Sequence, residues 1–200
     1  MKKEIAIMNG TVKIGNQIWQ TKNLNVERFR NEDFIPHAET DAEWEHAGLN
    51  EQPAWCYYNN DSQNGEIYGK LYNWYAVNDK RGLCPSGWHV PSQEDWDELI
   101  YFLGGKDIAG SKMRASDMLY WRHSPLSSTD NESGFSALPG GNRDYDGSFN
   151  GIRYLAFFWC DLANNNNLAW NRYMAYNYSY FSTNCNSKAF GFSVRCLRDK

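Results

Sequence analysis

Residues 91–105 constrain the fold more than any other stretch. Pro91 precedes Ser92, whose hydroxyl is placed to cap a helix with Asp95 at the capping-box position. Trp96, Leu99, Ile100 and Leu103 then recur at i, i+3, i+4 and i+7, an apolar stripe on one helical face, and Gly104-Gly105 ends it. A helix with one such stripe must bury it against another layer. From Ser133 onward the pattern changes to strand-like runs between Gly- and Asn-rich turns, with candidate strands at about 153–160, 168–176 and 189–197. Upstream, residues 11–20 read as a hairpin or strand pair turning at Gly15-Asn16. Residues 68–78 place Leu71, Tyr75 and Asn78 on one face of a short first helix. Residues 25–66 are polar and rich in Asn, Glu and turn residues, which predicts a long loop region. The expected class is α+β: two helices followed by an antiparallel sheet, with long loops.

No linker or charge block divides the 200 residues, so one domain over 1–200 is expected. The formal net charge is −4 with no basic stripe, which argues against a nucleic-acid partner. No run of about 18 apolar residues occurs, so no membrane insertion is expected, and Met1–Met8 is too polar for a signal peptide. Cytoplasm, phage particle and attachment to a surface through a partner all stay open. The five cysteines are odd in number and lack a C-x-x-C, which argues against a zinc knuckle; buried free thiols and one structural disulfide both remain open.

Aromatic residues make up 16% of the chain, more than a core needs, so some rings are expected on a binding surface. They concentrate in residues 158–187, which are crowded with Asn, Tyr and Ser and contain no Lys, Glu or Gln. Antibody-like paratopes use this mixture: Tyr supplies a rigid apolar face at low entropy cost, and Ser and Asn supply adaptable hydrogen bonds. The residues expected to face a ligand are Phe158, Cys160, Asp161, Asn171, Tyr173, Tyr176, Tyr178, Tyr180, Phe181, Asn184, Cys185 and Asn186. Strand alternation would put Tyr176, Tyr178 and Tyr180 in one exposed row; the alternative is that this row packs into the core and the rest is a polar loop.

Other chemistry finds little support. His37, His46, His89 and His123 form no H-x-x-x-H spacing, and His89 reads as a packed residue rather than a ligand. Asp144-Tyr145-Asp146 and Asp130-Asn131-Glu132 offer oxygens for calcium. The Glu-Pro-Asn or Gln-Pro-Asp triplet of sugar-binding sites is missing, and Glu51-Gln52-Pro53 matches it poorly. No catalytic residue, metal site or cofactor is assigned.

Five segments in order are similar to one family: Thr11–Trp19 with Asn23-Leu24-Asn25, Tyr68–Trp74, Cys84–Ser92, Gly134–Gly141 and Gly191–Cys196. Together they resemble the Fibrobacter succinogenes major paralogous domain. That resemblance implies a C-type-lectin-like fold of the formylglycine-generating-enzyme-like variant. It implies that the two chain ends pair as neighbouring strands, and that Cys84 and Cys196 lie close, as a disulfide or as packed thiols. A bridge from Cys56 is not expected, because Asn64 stands where family members carry a second cysteine.

Some members of this fold family resemble variable proteins of diversity-generating retroelements, in which template adenines of AAC or AAT codons are randomised. An AAC codon with its first two bases free cannot encode Trp, Met, Lys, Glu or Gln. Within 158–187 only Trp159, Trp170 and Met174 break that alphabet. The resemblance assigns Trp159, Trp170 and Arg172 to the framework, with Lys188 just outside, and makes Cys160 and Cys185 by-products of randomisation. The function it implies is a non-enzymatic receptor or adhesin domain with a variable region at 158–187 and a protein or surface-glycan ligand. One alternative is an undiversified cell-surface or carbohydrate-associated module. Another is a formylglycine-generating-type oxidase, which would need copper and a Cys185–Cys196 pair.

Overall fold

The computed structural model describes residues 5–8, 10–116, 119–125 and 130–200; Met1–Glu4, part of the stretch read above for a signal, lie outside the described residues. Strands β1 (Ile5–Met8), β2 (Thr11–Ile14) and β3 (Gln17–Gln20) come first. Helix α1 (Asp41–Leu49), β4 (Trp55–Cys56), a 3-10 turn at Tyr58–Asn60, α2 (Ser62–Tyr68), β5 (Leu71–Tyr72) and α3 (Trp74–Val77) follow. Next are β6 (Trp88–His89), α4 (Gln93–Leu103) and α5 (Lys106–Met113). Strands β7 (Gly140–Arg143), β8 (Phe149–Ile152), β9 (Leu155–Ala163), β10 (Leu168–Ala175), β11 (Ser182–Ser187) and β12 (Leu197–Arg198) complete the chain. The class is α+β.

The strongest local signals produce the elements they predict. Ser92 Oγ accepts from the Asp95 N–H at 3.1 Å and Asp95 Oδ2 accepts from the Ser92 N–H at 2.9 Å, which starts α4. Gly104, in left-handed geometry, ends it. Trp96, Leu99, Ile100 and Leu103 are all buried. The 11–20 hairpin closes with Ile14 paired to Gln17 across Gly15-Asn16. The chain ends meet as neighbours: Leu197 of β12 pairs with Trp19 of β3 and with His89 of β6. Beside them Cys84 and Cys196 form a disulfide, while Cys56 is free and buried.

Several expectations need correction. Five helices, not two, occur among the described residues. The expected loop at 25–66 contains α1 and most of α2. Thr40 and Glu43 form a reciprocal capping box at the start of α1, a signal that was present in the sequence. The helix expected at 68–78 is broken. Gly69 takes φ +75° against the Leu24 carbonyl, and Tyr72 exchanges backbone hydrogen bonds with Phe192. Tyr68 ends α2, and after it only the four residues of α3, capped by Asn73, are helical. The strand expected at 189–197 is instead β12 plus single bridges from Gly191, Phe192 and Ser193 to Arg143, Tyr72 and Phe158. The sheet β11-β10-β9-β7-β8 is mixed, since β7 and β9 meet in parallel at Gly141 and Ala156.

Hydrophobic clusters cover both faces of β9. On one face Ala156, Phe158 and Cys160 join Val12, Trp19 and the α4 stripe. On the other, Trp159 joins Trp55, Tyr72, Trp74, Phe192 and the Cys84–Cys196 bridge, with Phe157 packed against it.

Candidate functional site

The segment 158–187 is an antiparallel three-strand ladder whose two faces have different fates. Register pairs Asn171 with Asn184, Tyr173 with Phe157 and Ser182, and Arg172 with Phe158 and Thr183. Arg172, Met174 and Phe158 therefore point toward α4, and Asn171, Tyr173, Asn184 and Asn186 point the other way.

Four of the residues expected to meet a ligand do not reach the surface. Phe158, Cys160, Asn171 and Phe181 are buried. Phe158 sits among Trp96, Phe135 and Phe181 at centroid distances of 5.7, 5.9 and 6.4 Å. Burial pushes the Cys160 thiol up to about 12. Asn171 Nδ2 donates to Asn186 Oδ1 at 2.9 Å. Phe158, Cys160 and Phe181 pack into the α4-side cluster and Asn171 lies beside the buried Trp159, so these positions fail as contacts: β9 is covered on both faces, and alternation gives no solvent face along it.

The expected row of Tyr176, Tyr178 and Tyr180 is also corrected. Strand β10 ends at Ala175, so the period-2 argument stops before Tyr176. Tyr176 turns onto the α4-side cluster and meets Tyr154 edge-on at 5.2 Å. Tyr178 and Tyr180 stack on each other at 4.9 Å in the loop leading to β11. That loop is held by its backbone. Arg114 Nη1 donates to the Tyr178 carbonyl at 2.7 Å, and the Ser111 N–H donates to the Ser179 carbonyl at 3.1 Å. The Phe181 N–H donates to the Lys106 carbonyl at 2.8 Å. Helix α5 approaches so closely that a Cβ on Gly110 would lie 2.4 Å from the Tyr180 backbone carbonyl oxygen.

A different row of rings emerges. From the loop it runs Tyr178–Tyr180 (4.9 Å), Tyr180–Tyr173 (6.5 Å), Tyr173–Phe157 (5.8 Å) and Phe157–Phe192 (4.7 Å). It continues through Phe192–Phe190 (5.8 Å) to Phe190–Tyr145 (6.0 Å). Its ends are open, with Tyr178 48% and Tyr145 59% exposed, while Phe192 in the middle is buried. Asn184 is exposed on β11, and Asn186 and Cys185 are half-buried. Asp161 is exposed where β9 leaves the core. Tyr145, Phe157 and Phe190 escaped sequence reasoning because they lie outside 158–187 and join the row only through tertiary contact.

The framework residues are anchored. Trp159 is buried and its Nε1 donates to the Tyr72 carbonyl at 2.8 Å. Trp170 is half-buried against the α4-side cluster. Arg172 is buried, and its Nη2 contacts Asp97 Oδ1 on α4 at 2.7 Å. Lys188 Nζ donates to the Asn166 carbonyl and lies over the Trp74 ring. Asn164–Asn167 form the β9–β10 turn, where Asn165 Oδ1 accepts from the Asn167 and Leu168 N–H groups at 2.9 Å each.

The remaining candidate chemistry is dispersed. His89 is partly exposed, with Nδ1 2.7 Å from Asp199 Oδ1 and Nε2 3.3 Å from Asp95 Oδ2. Asp144 is engaged by Asn142 and Asn150, and Asp146 by Ser148. No group of three or more His, Cys, Asp or Glu side chains is poised to hold a metal among the described residues. Cys196 is bonded to Cys84, so the Cys185–Cys196 pair required by the oxidase alternative is not formed. No helix among the described residues is long and apolar enough to cross a membrane.

Residues 12–198 match the family model of the Fibrobacter succinogenes major domain. The chain belongs to this family. No curated protein and no solved structure matches it. Within this family member the match takes in the disulfide, both faces of β9 and the whole ring row.

Proposed function

We propose that this domain binds a protein or surface-glycan ligand through the β10–β11 face and its adjoining loop. The observation that carries the reading is the seven-ring row from Tyr178 to Tyr145, anchored in the core at Phe192 and open at both ends. Rings fixed from behind lose little entropy on binding, and Tyr is favoured at energetic centres of interfaces. The contact set is Tyr173, Tyr178, Tyr180, Asn184 and Asn186, with Cys185 at the β11 edge; Asp161 lies apart, its N–H donating to the Pro91 carbonyl beside the start of α4.

The scaffold reading is a C-type-lectin-like fold. It is supported by the pairing of β3 with β12, the Cys84–Cys196 bridge and the packing of α4 on the central sheet. Retroelement diversification of 158–187 remains part of the proposal, confined to solvent-facing positions: random change at Phe158, Cys160, Asn171 or Phe181 would strike the core.

The test is a protein and glycan array probed with the wild type and a Tyr173→Ser/Tyr178→Ser/Tyr180→Ser variant. The expected result is a specific ligand whose binding drops by about 100-fold or more in the variant, two hot-spot losses of ~1.4 kcal/mol each, with unchanged circular dichroism. Binding that survives the triple change, or no specific ligand for the wild type, overturns the reading. Sequencing the locus across a population tests diversification: changes spread evenly along the chain would contradict it.

A further inference from the structure

Helix α1 ends in an arrangement that normally calls for glycine. The Gln52 N–H donates to the Ala47 carbonyl at 2.8 Å and the Glu51 N–H to the Gly48 carbonyl at 3.3 Å, the paired bonds of a Schellman motif. The residue in the left-handed position, at φ +54°, is Glu51. A side chain there is disfavoured relative to glycine. Such a local penalty at a surface position points to a use for the side chain.

Glu51 lines a cavity of about 370 Å³ at the Tyr145 end of the ring row, together with Glu45, Leu49, Tyr75, Tyr145 and Asn167. Ligand pockets span roughly 300–1,000 Å³, so this one suits a single long side chain better than an oligosaccharide. Its chemistry is one-sided. The lining carries two carboxylates and no cationic residue. Neither Glu45 nor Glu51 has an ion-pair partner among the described residues. Glu51 and Tyr75 line the same cavity, and burial, then the Glu51 charge, raise the Tyr75 phenol above its ordinary value. Leu49 is 78% exposed and Tyr145 also faces solvent, leaving apolar surface for an aliphatic stem. The base is tight: a Cβ on Gly48 would lie 2.7 Å from Ala189 Cβ, so α1 is seated against the segment after β11.

We propose that this cavity receives the cationic end of a lysine or arginine side chain from a protein partner. The stem would lie on Leu49 and the tyrosine rings, and the charged head would sit by Glu45 and Glu51. This deepens the ligand-binding reading above and rests on it for the existence of a partner; it also selects protein over glycan for this end of the surface.

The test uses the full chain and two small probes, N-acetyl-arginine methylamide and its neutral citrulline counterpart, titrated by ¹H–¹⁵N NMR. The arginine probe is expected to give saturable shifts at Gly48, Asn167 and Ala189. The citrulline probe, and the arginine probe on Glu45→Gln/Glu51→Gln, should bind about tenfold more weakly. Glu51→Gly should raise Tm while weakening the arginine probe, separating a ligand role from a structural one. Equal binding of citrulline, shifts scattered away from the cavity, or unchanged affinity in Glu51→Gly would overturn the proposal. If the arginine probe fails while the triple tyrosine variant still loses its array ligand, this inference falls and the ring-row reading stands. If the arginine probe succeeds while the array ligand ignores the tyrosines, the cavity stands and the ring row falls.

Discussion

Replacing Phe158 by alanine separates core from recognition surface within a segment whose composition makes every position look alike. Phe158 has no exposed area and contacts the rings of Trp96, Phe135 and Phe181. Truncation removes the transfer free energy of the ring and leaves a cavity walled by α4 and β10 elements that cannot collapse freely. A buried Phe→Ala change costs about 3–5 kcal/mol. Against a domain stability of roughly 5–15 kcal/mol and a urea slope of about 2–3 kcal/mol/M, the midpoint should fall by about 1–2.5 M. Tyr178→Ala is the matched control. That ring is 48% exposed, and the hydrogen bond from Arg114 goes to the backbone carbonyl, which the substitution keeps. Its cost should stay within about 0.5 kcal/mol, a midpoint shift of roughly 0.2 M. Urea unfolding followed by tryptophan fluorescence, with the disulfide intact, measures both. A Phe158→Ala loss below about 1 kcal/mol, or a larger loss for Tyr178→Ala, would refute the assignment of faces.

Other expectations concern the staples of the fold. Cys84→Ser/Cys196→Ser opens a loop closed across a separation of 112 residues. Chain entropy sets that loss near 4–5 kcal/mol, or about 10–15 °C in Tm by calorimetry; a drop of only a degree or two would show that the bridge adds little. Asp97→Ala leaves the buried Arg172 guanidinium with only its hydrogen bonds to Thr183 and the Gln93 carbonyl and should cost about 1–3 kcal/mol in urea, while Arg172→Met/Asp97→Ala recovers at least half of it; equal losses would contradict a desolvation cost. The buried thiols of Cys56 and Cys160 ionise at 9.0 when unperturbed and are pushed up to about 12, so the stability linked to their protons is complete below pH 9 and drains between pH 9 and 12. Tyr72, raised by burial, adds to that decline. The urea midpoint should be level to pH 9 and fall above it, less steeply in Cys56→Ala/Cys160→Ala; an identical slope in that variant would assign the decline elsewhere.

How far the chain could be read depended on how local each signal was. Ser92 with Asp95, the four apolar residues after them and Gly104 act within three turns of α4, and they produced that helix. The Gly15-Asn16 hairpin and the positions of β9 and β10 came from similarly short patterns. Thr40 and Glu43 carried an equally local signal for α1, but the low apolar content around them hid it. Residues 68–78 misled because a helical spacing was overridden by distant backbone pairing, with Tyr72 bonded to Phe192.

The sheet shows where local reading stops. Composition singled out 158–187, and the family resemblance separated Trp159, Trp170 and Arg172 from the rest. Neither could sort Phe158 and Phe181 from Tyr173 and Tyr178. Alternation tells which residues share a face, but exposure depends on what the remainder of the chain lays over that face. Here α4 and the N-terminal hairpin cover one side of β9, and the Tyr72–Phe192 layer covers the other. The ring row and the acidic cavity exist only because Tyr145, Glu51 and Phe190, far apart in the chain, are brought together by that packing.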